Sequence, residues 1–444
     1  MNNNTFTFFN WAIAFLLFCI NSHSVTASES IQQLWKVAER ENLGLKGFKQ
    51  RITAEEFNLK KVKAERLPLI AVQLGTTQLS DQPTMLFSGL GDGSLAVPAG
   101  QKRFDLAQAT VQQPLYSSGM LQYGIAAQQD ILAASQLDWE QQRLRLNKRI
   151  AQLYIQINHL DEQVLVAESF YKTAARHRET VTQLYQQGMA VFADKQAGDA
   201  DFVSAEVHLN TVKKQKSLLI QQMNILLNRP LTQRLTIQPL KSVSIGIGYE
   251  AVLQSMVDDN PQIKSLSKRI SALNASRKSV AGQEKPQLAL VGKYDYSENE
   301  YRLEDKIKSM SLVLNWQVDF GRTKHQSNQL IAQRNELRLT RNMLRQSLLV
   351  QLNDAVSYFL LNQESAKSLE LAAVQSRSYL QNMENKYREG LALQTELYAA
   401  KNRAQSRELD FFNAKYEVMR SAIEIAFLTN RFDDLEIELS NEST

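Results

Sequence analysis

The sequence predicts a mainly α protein with a small β part, built as a duplicated unit of strands and long helices. Three observations predict it: two long stretches without proline and almost without glycine, a 3.5-residue apolar period inside both, and alternating apolar and polar residues beside them.

Eight prolines stand at 68, 83, 98, 114, 230, 239, 261 and 286, so 115 residues lie between Pro114 and Pro230 and 158 follow Pro286. Proline interrupts helices, and both stretches are therefore compatible with continuous helix. Gly119 to Gly188 and Gly321 to Gly390 each span 69 residues, with only Gly124 inside them. Around these glycines the chain repeats itself at one offset of 202 residues. Pro114-Leu115-Tyr116-Ser117-Ser118-Gly119 aligns with Trp316-Gln317-Val318-Asp319-Phe320-Gly321, and Tyr185-Gln186-Gln187-Gly188-Met189-Ala190 with Tyr387-Arg388-Glu389-Gly390-Leu391-Ala392. Asn228-Arg229 and Asn430-Arg431 keep the same offset. Upstream, Asn42 pairs with Asn260 and Pro68 with Pro286 at an offset of 218, which places an enlargement of 16 residues between Pro68 and Gly119.

In the second copy Leu348, Leu352, Ala355, Phe359, Asn362, Ala366, Leu369 and Ala373 recur at steps of four and three, and the series runs on to Tyr387. The counterparts run from Leu146 through Ile150, Leu153 and Ile157 to Tyr185, with Arg178 the single charge. A sustained 3.5-residue period calls for supercoiled helices packed knobs into holes. At 1.5 Å per residue such a helix is roughly 100 Å long, a rod that spans a distance. The expected helices are 119–187 and 199–228, then 321–389 and 396–429.

Beside each rod lie strand signals. Met310, Leu312, Leu314, Trp316, Val318 and Phe320 alternate with Ser309, Ser311, Asn315, Gln317 and Asp319, and Leu288, Leu290, Tyr294 and Tyr296 alternate with Lys293 and Asp295. The expected strands are 287–296 and 309–320, matched in the first copy by 69–79 and 104–116. The domain plan is a signal peptide at 1–27, a first repeat at 28–231, a linker at 232–249, a second repeat at 250–432 and a tail at 433–444.

The first 27 residues hold no Lys, Arg, Asp or Glu, and Trp11 to Ile20 has the length of a signal-peptide core. Cleavage after Val25-Thr26-Ala27 starts the mature chain near Ser28; a short N-terminal anchor is the other reading. Cys19 is the only cysteine, so the mature chain carries no thiol for disulfide, metal or nucleophile. Charged residues make up 22% of the chain and the net charge of +5 is evenly spread, which leaves no nucleic-acid footprint. His23, His159, His177, His208 and His325 fall in no metal-binding spacing, and Gly89-Leu90-Gly91-Asp92-Gly93 reads as a surface loop because no Lys-Ser or Lys-Thr follows it. No catalytic site, cofactor or metal is expected.

After the N-terminus no segment approaches 18 consecutive apolar residues, so a membrane crossing requires a closed β-barrel. Four strands per chain leave bare edges; three copies supply twelve strands, an even number within the known range.

These residues resemble the TolC family of outer-membrane efflux and export proteins, over nearly the whole mature chain. Pro114 to Gly119 and Asp319-Phe320-Gly321 are similar to the family's strand-to-helix junctions, and Asn260-Pro261 to the start of its second repeat. Tyr185, Gly188 and Met189, with Tyr387, Gly390 and Leu391, are similar to its periplasmic tip turns. The resemblance implies a homotrimer with a twelve-stranded barrel in outer-membrane lipid, continued by a periplasmic α-helical coiled-coil barrel. It implies two partners, a periplasmic adaptor (membrane fusion) protein and a proton-driven or ATP-driven inner-membrane pump, and the tip turns as the adaptor contact. Asp194 and Glu396, six residues past the tip glycines, match the family's acidic constriction, and three chains would bring six carboxylates together; the bland reading is a solvated turn. Asp199 and Asp201 face Lys401 and Arg403 at equivalent positions, which suggests ion pairs that hold a gate. Export of polypeptide in type I secretion is the neighbouring function, and a periplasmic coiled-coil adaptor or scaffold is the reading from another class.

Overall fold

The computed structural model describes residues 28–88, 94–246, 256–298, 300–301 and 304–439. The expected signal peptide and the Gly89 to Gly93 cluster lie outside them.

Two helices of 67 residues dominate, α3 (Met120–Gln186) and α6 (Arg322–Arg388). Each turns back into a 35-residue helix, α4 (Phe192–Leu226) and α7 (Gln394–Leu428). Ahead of the rods come α1 (Ile31–Glu41) and α2 (Leu43–Ala64) in the first repeat and α5 (Pro261–Gln283) in the second. The rods begin where backbone leaves a strand through left-handed residues: Ser118 and Gly119 at φ 51° and 84°, Phe320 and Gly321 at φ 50° and 124°. At the second junction Asp319 accepts from the Gly321 and Thr323 amides at 3.2 and 3.0 Å and caps α6. That cap corrects the expected strand 309–320. β7 ends at Asn315, and Trp316, Val318 and Phe320 alternate without pairing because Asp319 has been recruited to the helix.

Helix α3 packs on α2 and α4 to one side and on α5 and α7 to the other, and α6 packs on α5 and α7. The short helices meet end to end: the Asn42 side chain accepts from the Leu45 amide to cap α2 and donates to the Leu226 carbonyl that ends α4, at 3.1 and 2.9 Å. The expected seams are buried at Leu146, Ile150, Leu153, Ile157 and Val181 on α3 and at Leu348, Leu352, Ala355, Phe359 and Met383 on α6, and their tip ends, Tyr185 and Tyr387, are exposed. Asn228 and Asn430 close α4 and α7 in the left-handed region, and the next amides reach back to the Asn224 and Ala426 carbonyls at 2.8 Å. This helix stop explains the repeated Asn-Arg pair.

One antiparallel sheet runs β1 (Leu69–Gln78), β4 (Arg103–Tyr116), β6 (Gln287–Ser297), β7 (Lys306–Asn315), in that order. Its register sorts the faces. Rows across the sheet read Ile70, Val111, Gly292, Met310 and Val72, Ala109, Tyr294, Lys308 on one face. On the other they read Ala71, Thr110, Lys293, Ser309 and Gln73, Gln108, Asp295, Ile307. An apolar, aromatic face opposed to a polar one suits lipid outside and water inside. Pro114 sits at a bulge of β4, where its missing N–H costs no ladder bond. Within the enlarged first loop β2 (Thr84–Ser88) and β3 (Ser94–Pro98) form a hairpin.

The expected linker 232–249 and tail 433–444 are not merely connectors. β5 (Leu240–Ile245) pairs antiparallel with β8 (Leu435–Leu439), and the Tyr154 hydroxyl donates to the Gln238 carbonyl at 2.8 Å to hold this layer on α3. Apolar alternation in Leu240, Val243 and Ile245 fills the core there, beside Ile31, Leu34 and Ile423.

Candidate functional site

Both hairpin tips are built alike. α3 ends as the Gly188 amide donates to the Tyr185 carbonyl at 3.0 Å and the Met189 amide to the Leu184 carbonyl at 2.8 Å; the second tip repeats this with Gly390 to Tyr387 and Leu391 to Lys386 at the same distances. This double bond needs a left-handed residue between, and Gly188 and Gly390 adopt φ 74° and 73°. The repeated Tyr-x-x-Gly is thus a helix stop. Past it the chain exposes apolar side chains: Met189 is 65% accessible and Leu391 73%, with Val191, Phe192 and Leu393 also open.

Asp194 and Glu396 each occupy the third position of the return helix. Asp194 accepts from the Val191 amide at 3.3 Å and Glu396 from the Leu393 amide at 2.9 Å. Their local task is half of a capping box, with the apolar Val191 and Leu393 contributing no side-chain acceptor. α4 begins at Phe192, seven residues ahead of the expected 199, a start that the sequence hides because Val191 before it is not the usual Ser, Thr, Asp or Asn.

Among the described residues of one chain, Asp199, Asp201, Lys401 and Arg403 form no ion pair with one another. Asp199 binds Arg178 at 2.7 Å, inside the first hairpin, and Arg178 also lies 4.8 Å from the Phe202 ring centroid. This accounts for the one charge in the seam. Lys401 stands 3.9 Å from Glu384 and Arg403 lies over the Tyr379 ring at 5.9 Å, both inside the second hairpin. Near the tips the two hairpins meet at Tyr398 of α7, on which His177 of α3 stacks at 5.2 Å and with which Asp201 of α4 shares a hydrogen bond. Burial pushes the Tyr398 phenol up, and the neighbouring Asp201 carboxylate adds to this. Tyr398 carried no sequence signal, since its counterpart in the first repeat is Gln196.

Among the described residues no three His, Cys, Asp or Glu converge as a metal site, and no helix is long and apolar enough to cross a membrane.

Residues 252–431 match the family described as outer membrane efflux protein. No curated protein sequence matches the chain. Among solved structures, the Campylobacter jejuni CmeC outer membrane channel is 14% identical over 90% of this chain and 85% of that one, with a TM-score of 0.75. The Vibrio cholerae outer membrane protein VceC is 15% identical over 90% and 95%, with a TM-score of 0.73. The open state of the Neisseria gonorrhoeae MtrE outer membrane channel is 14% identical over 90% and 88%, with a TM-score of 0.72. At these identities the likeness is one of fold.

Proposed function

We propose that this chain, whose residues 252–431 match the outer membrane efflux protein family, is a member of that family and the outer-membrane channel of a tripartite efflux or export system. It gives solutes passage across periplasm and outer membrane as a homotrimer, with an adaptor protein at its exposed tips and an inner-membrane pump beyond.

The observation that carries this reading is a set of open edges. β1 and β7 each have a partner on one side only, in a sheet whose apolar face suits lipid. Helix α6 likewise exposes Leu339, Met343, Val350 and Leu361 on the face whose counterpart in α3 packs on α5 and α7. A second copy supplies what is missing. By the repeat relation, Val350 and the exposed Ile225 take the places that Lys148 and Phe427 hold inside the chain, where the ammonium lies 4.3 Å from the ring centroid. Ile225→Cys with Val350→Cys should therefore give, with a short bis-maleimide in intact outer membranes, a ladder that ends at three chains. Monomer alone after cross-linking overturns the trimer.

Six carboxylates from Asp194 and Glu396 would meet near the trimer axis and form a ring that favours cations. Asn and Gln keep an oxygen for the capping bonds while removing the charge. Channels carrying Asp194→Asn and Glu396→Gln should lose most cation preference and most block by multivalent cations from the periplasmic side. Retention of both properties assigns these residues to turn formation alone.

A further inference from the structure

Where α7 ends and α5 begins, the wall between α3 and α6 opens into a cavity of about 470 Å³. Among the described residues its charged lining is cationic: Arg145, Lys148 and Arg149 of α3 face it, and no Asp or Glu does. Leu344 and Leu348 of α6 and Phe427 of α7 form an apolar side.

The two guanidiniums have neutral partners. Arg145 donates to the Gln262 amide oxygen at 3.4 Å and Arg149 to that of Gln222 at 3.1 Å. Among the described residues neither lies within ion-pair range of a carboxylate. Lys148 differs, since its ammonium is 2.6 Å from Glu424 at the rim. Gln141, another lining residue, is only 6% exposed and its Oε1 has no hydrogen-bond partner. The first turn of α5, behind its Asn260 cap, adds the positive end of a helix to the same lining.

The other helix junction lacks this character. At the offset of 202, Arg145, Lys148 and Arg149 correspond to Ser347, Val350 and Gln351, and Gln152 corresponds to Asp354. The cationic set is therefore particular to one junction rather than a requirement of the repeat. Arg145, Arg149 and Gln152 also share the α3 face opposite Asn147, Tyr154 and Asn158, which hold α1 and the β5–β8 layer.

We propose that this cavity binds organic anions with an apolar body, the anionic group on Arg145 and Arg149 and the hydrocarbon against Leu344, Leu348 and Phe427. Its place on the inner wall of a tunnel rests on the channel reading; the binding site itself lies within one chain. Paired guanidiniums suit phosphate, sulfonate or carboxylate oxygens, and the apolar side adds area that a bare inorganic anion leaves unused.

The test is calorimetry on purified full-length protein in neutral detergent, with 1-naphthyl phosphate and inorganic phosphate as probes. Naphthyl phosphate should bind more tightly than phosphate, and Arg145→Gln with Arg149→Gln should weaken it about tenfold or more. Gln152→Glu, which places a carboxylate beside Arg149, should weaken it similarly, whereas Lys214→Gln on the exposed side of α4 should leave it unchanged. Unchanged affinity in both lining variants, or no binding to the unsubstituted protein, overturns the site. Planar-bilayer recordings separate the two readings. Protein that binds but never conducts overturns the channel and leaves the site; protein that conducts but binds no naphthyl phosphate overturns the site alone.

Discussion

Helices α3 and α6 have the same length and occupy the same place in their repeats, yet nineteen side chains of α3 are buried against seven of α6. The seam that each shares with its return helix is buried in both. What differs is a second stripe. Leu144, Ala151, Tyr154 and Ile155 of α3 are covered, because α3 stands between two columns of helices. α6 stands at the edge, and Val350, Tyr358, Leu361 and Leu371 remain open. In the sheet, β4 and β6 are paired on both sides and β1 and β7 on one. A duplicated sequence with unequal burial points to a missing neighbour, since apolar area left in water forgoes about 25 cal/mol for each Å².

The strongest way to break this comparison is to cut both helices alike. Ile155 is fully buried within the chain and Leu361 is 60% exposed. Ile155→Ala should cost about 2–5 kcal/mol of chain stability. Leu361→Ala should leave the dissociated chain within about 0.5 kcal/mol of the original while lowering the temperature at which the proposed trimer separates. Thermal melts of both states, read by circular dichroism and semi-native gels, compare them; equal losses in the dissociated chain would mean α6 is covered by its own chain.

The sheet edge offers the next effect. Leu312 and Leu314 lie on the apolar face of β7 and Ser311 on the polar one. In the proposed barrel Leu312→Lys should cost roughly 2–4 kcal/mol per chain in lipid, and Ser311→Lys little, because it would meet water. The yield of the proposed trimer from outer membranes should separate the two; similar yields would reverse the faces.

At the tips the repeats should converge again. A Cβ at Gly188 or Gly390 meets no neighbouring atom, so alanine there adds only backbone strain at φ 74° and 73°. Each substitution should cost about 1 kcal/mol, equally in both repeats. Unequal shifts in the melting of the proposed trimer would show that one tip is held by contacts outside its own turn.

Most of the long-range plan was legible in the sequence because it rests on periodicity and on residues with unusual backbone. The four repeated positions at Ser118-Gly119, Gly188, Asn228 and their counterparts are left-handed, and a few residue types tolerate that. The misreadings have physical causes as well. Trp316 to Phe320 alternates like a strand, but alternation carries no information about Asp319 serving α6. Leu240 to Ile245 reads as a connector because its partner, Leu435 to Leu439, lies far along the chain. For the tip charges, opposite signs at equivalent positions carry no geometry within one chain, where Asp199 pairs with Arg178 of its own hairpin.

The smallest effect isolates one position where the two rods differ in chemistry. His159 of α3 packs edge-on to Tyr416 of α7 at 4.7 Å, and its counterpart in α6 is the exposed Leu361. Burial holds the imidazole below its ordinary value of 6.5, a shift only partly opposed by Glu417. The folded state thus binds fewer protons there than the unfolded chain, and the stability this residue permits is complete above pH 6.5 and declines as pH falls toward its depressed folded value. Glu162 nearby acts oppositely: burial raises its carboxyl, so stability falls as pH rises from 4.5 toward its raised folded value. His159→Leu, which installs the residue of α6, should remove the histidine contribution and leave that of Glu162. Between about pH 7.5 and 5.5 the variant should lose less melting temperature than the unsubstituted protein. Parallel curves would show that His159 keeps its ordinary proton affinity in the folded rod, and that α3 tolerates a charge there as readily as an exposed helix does.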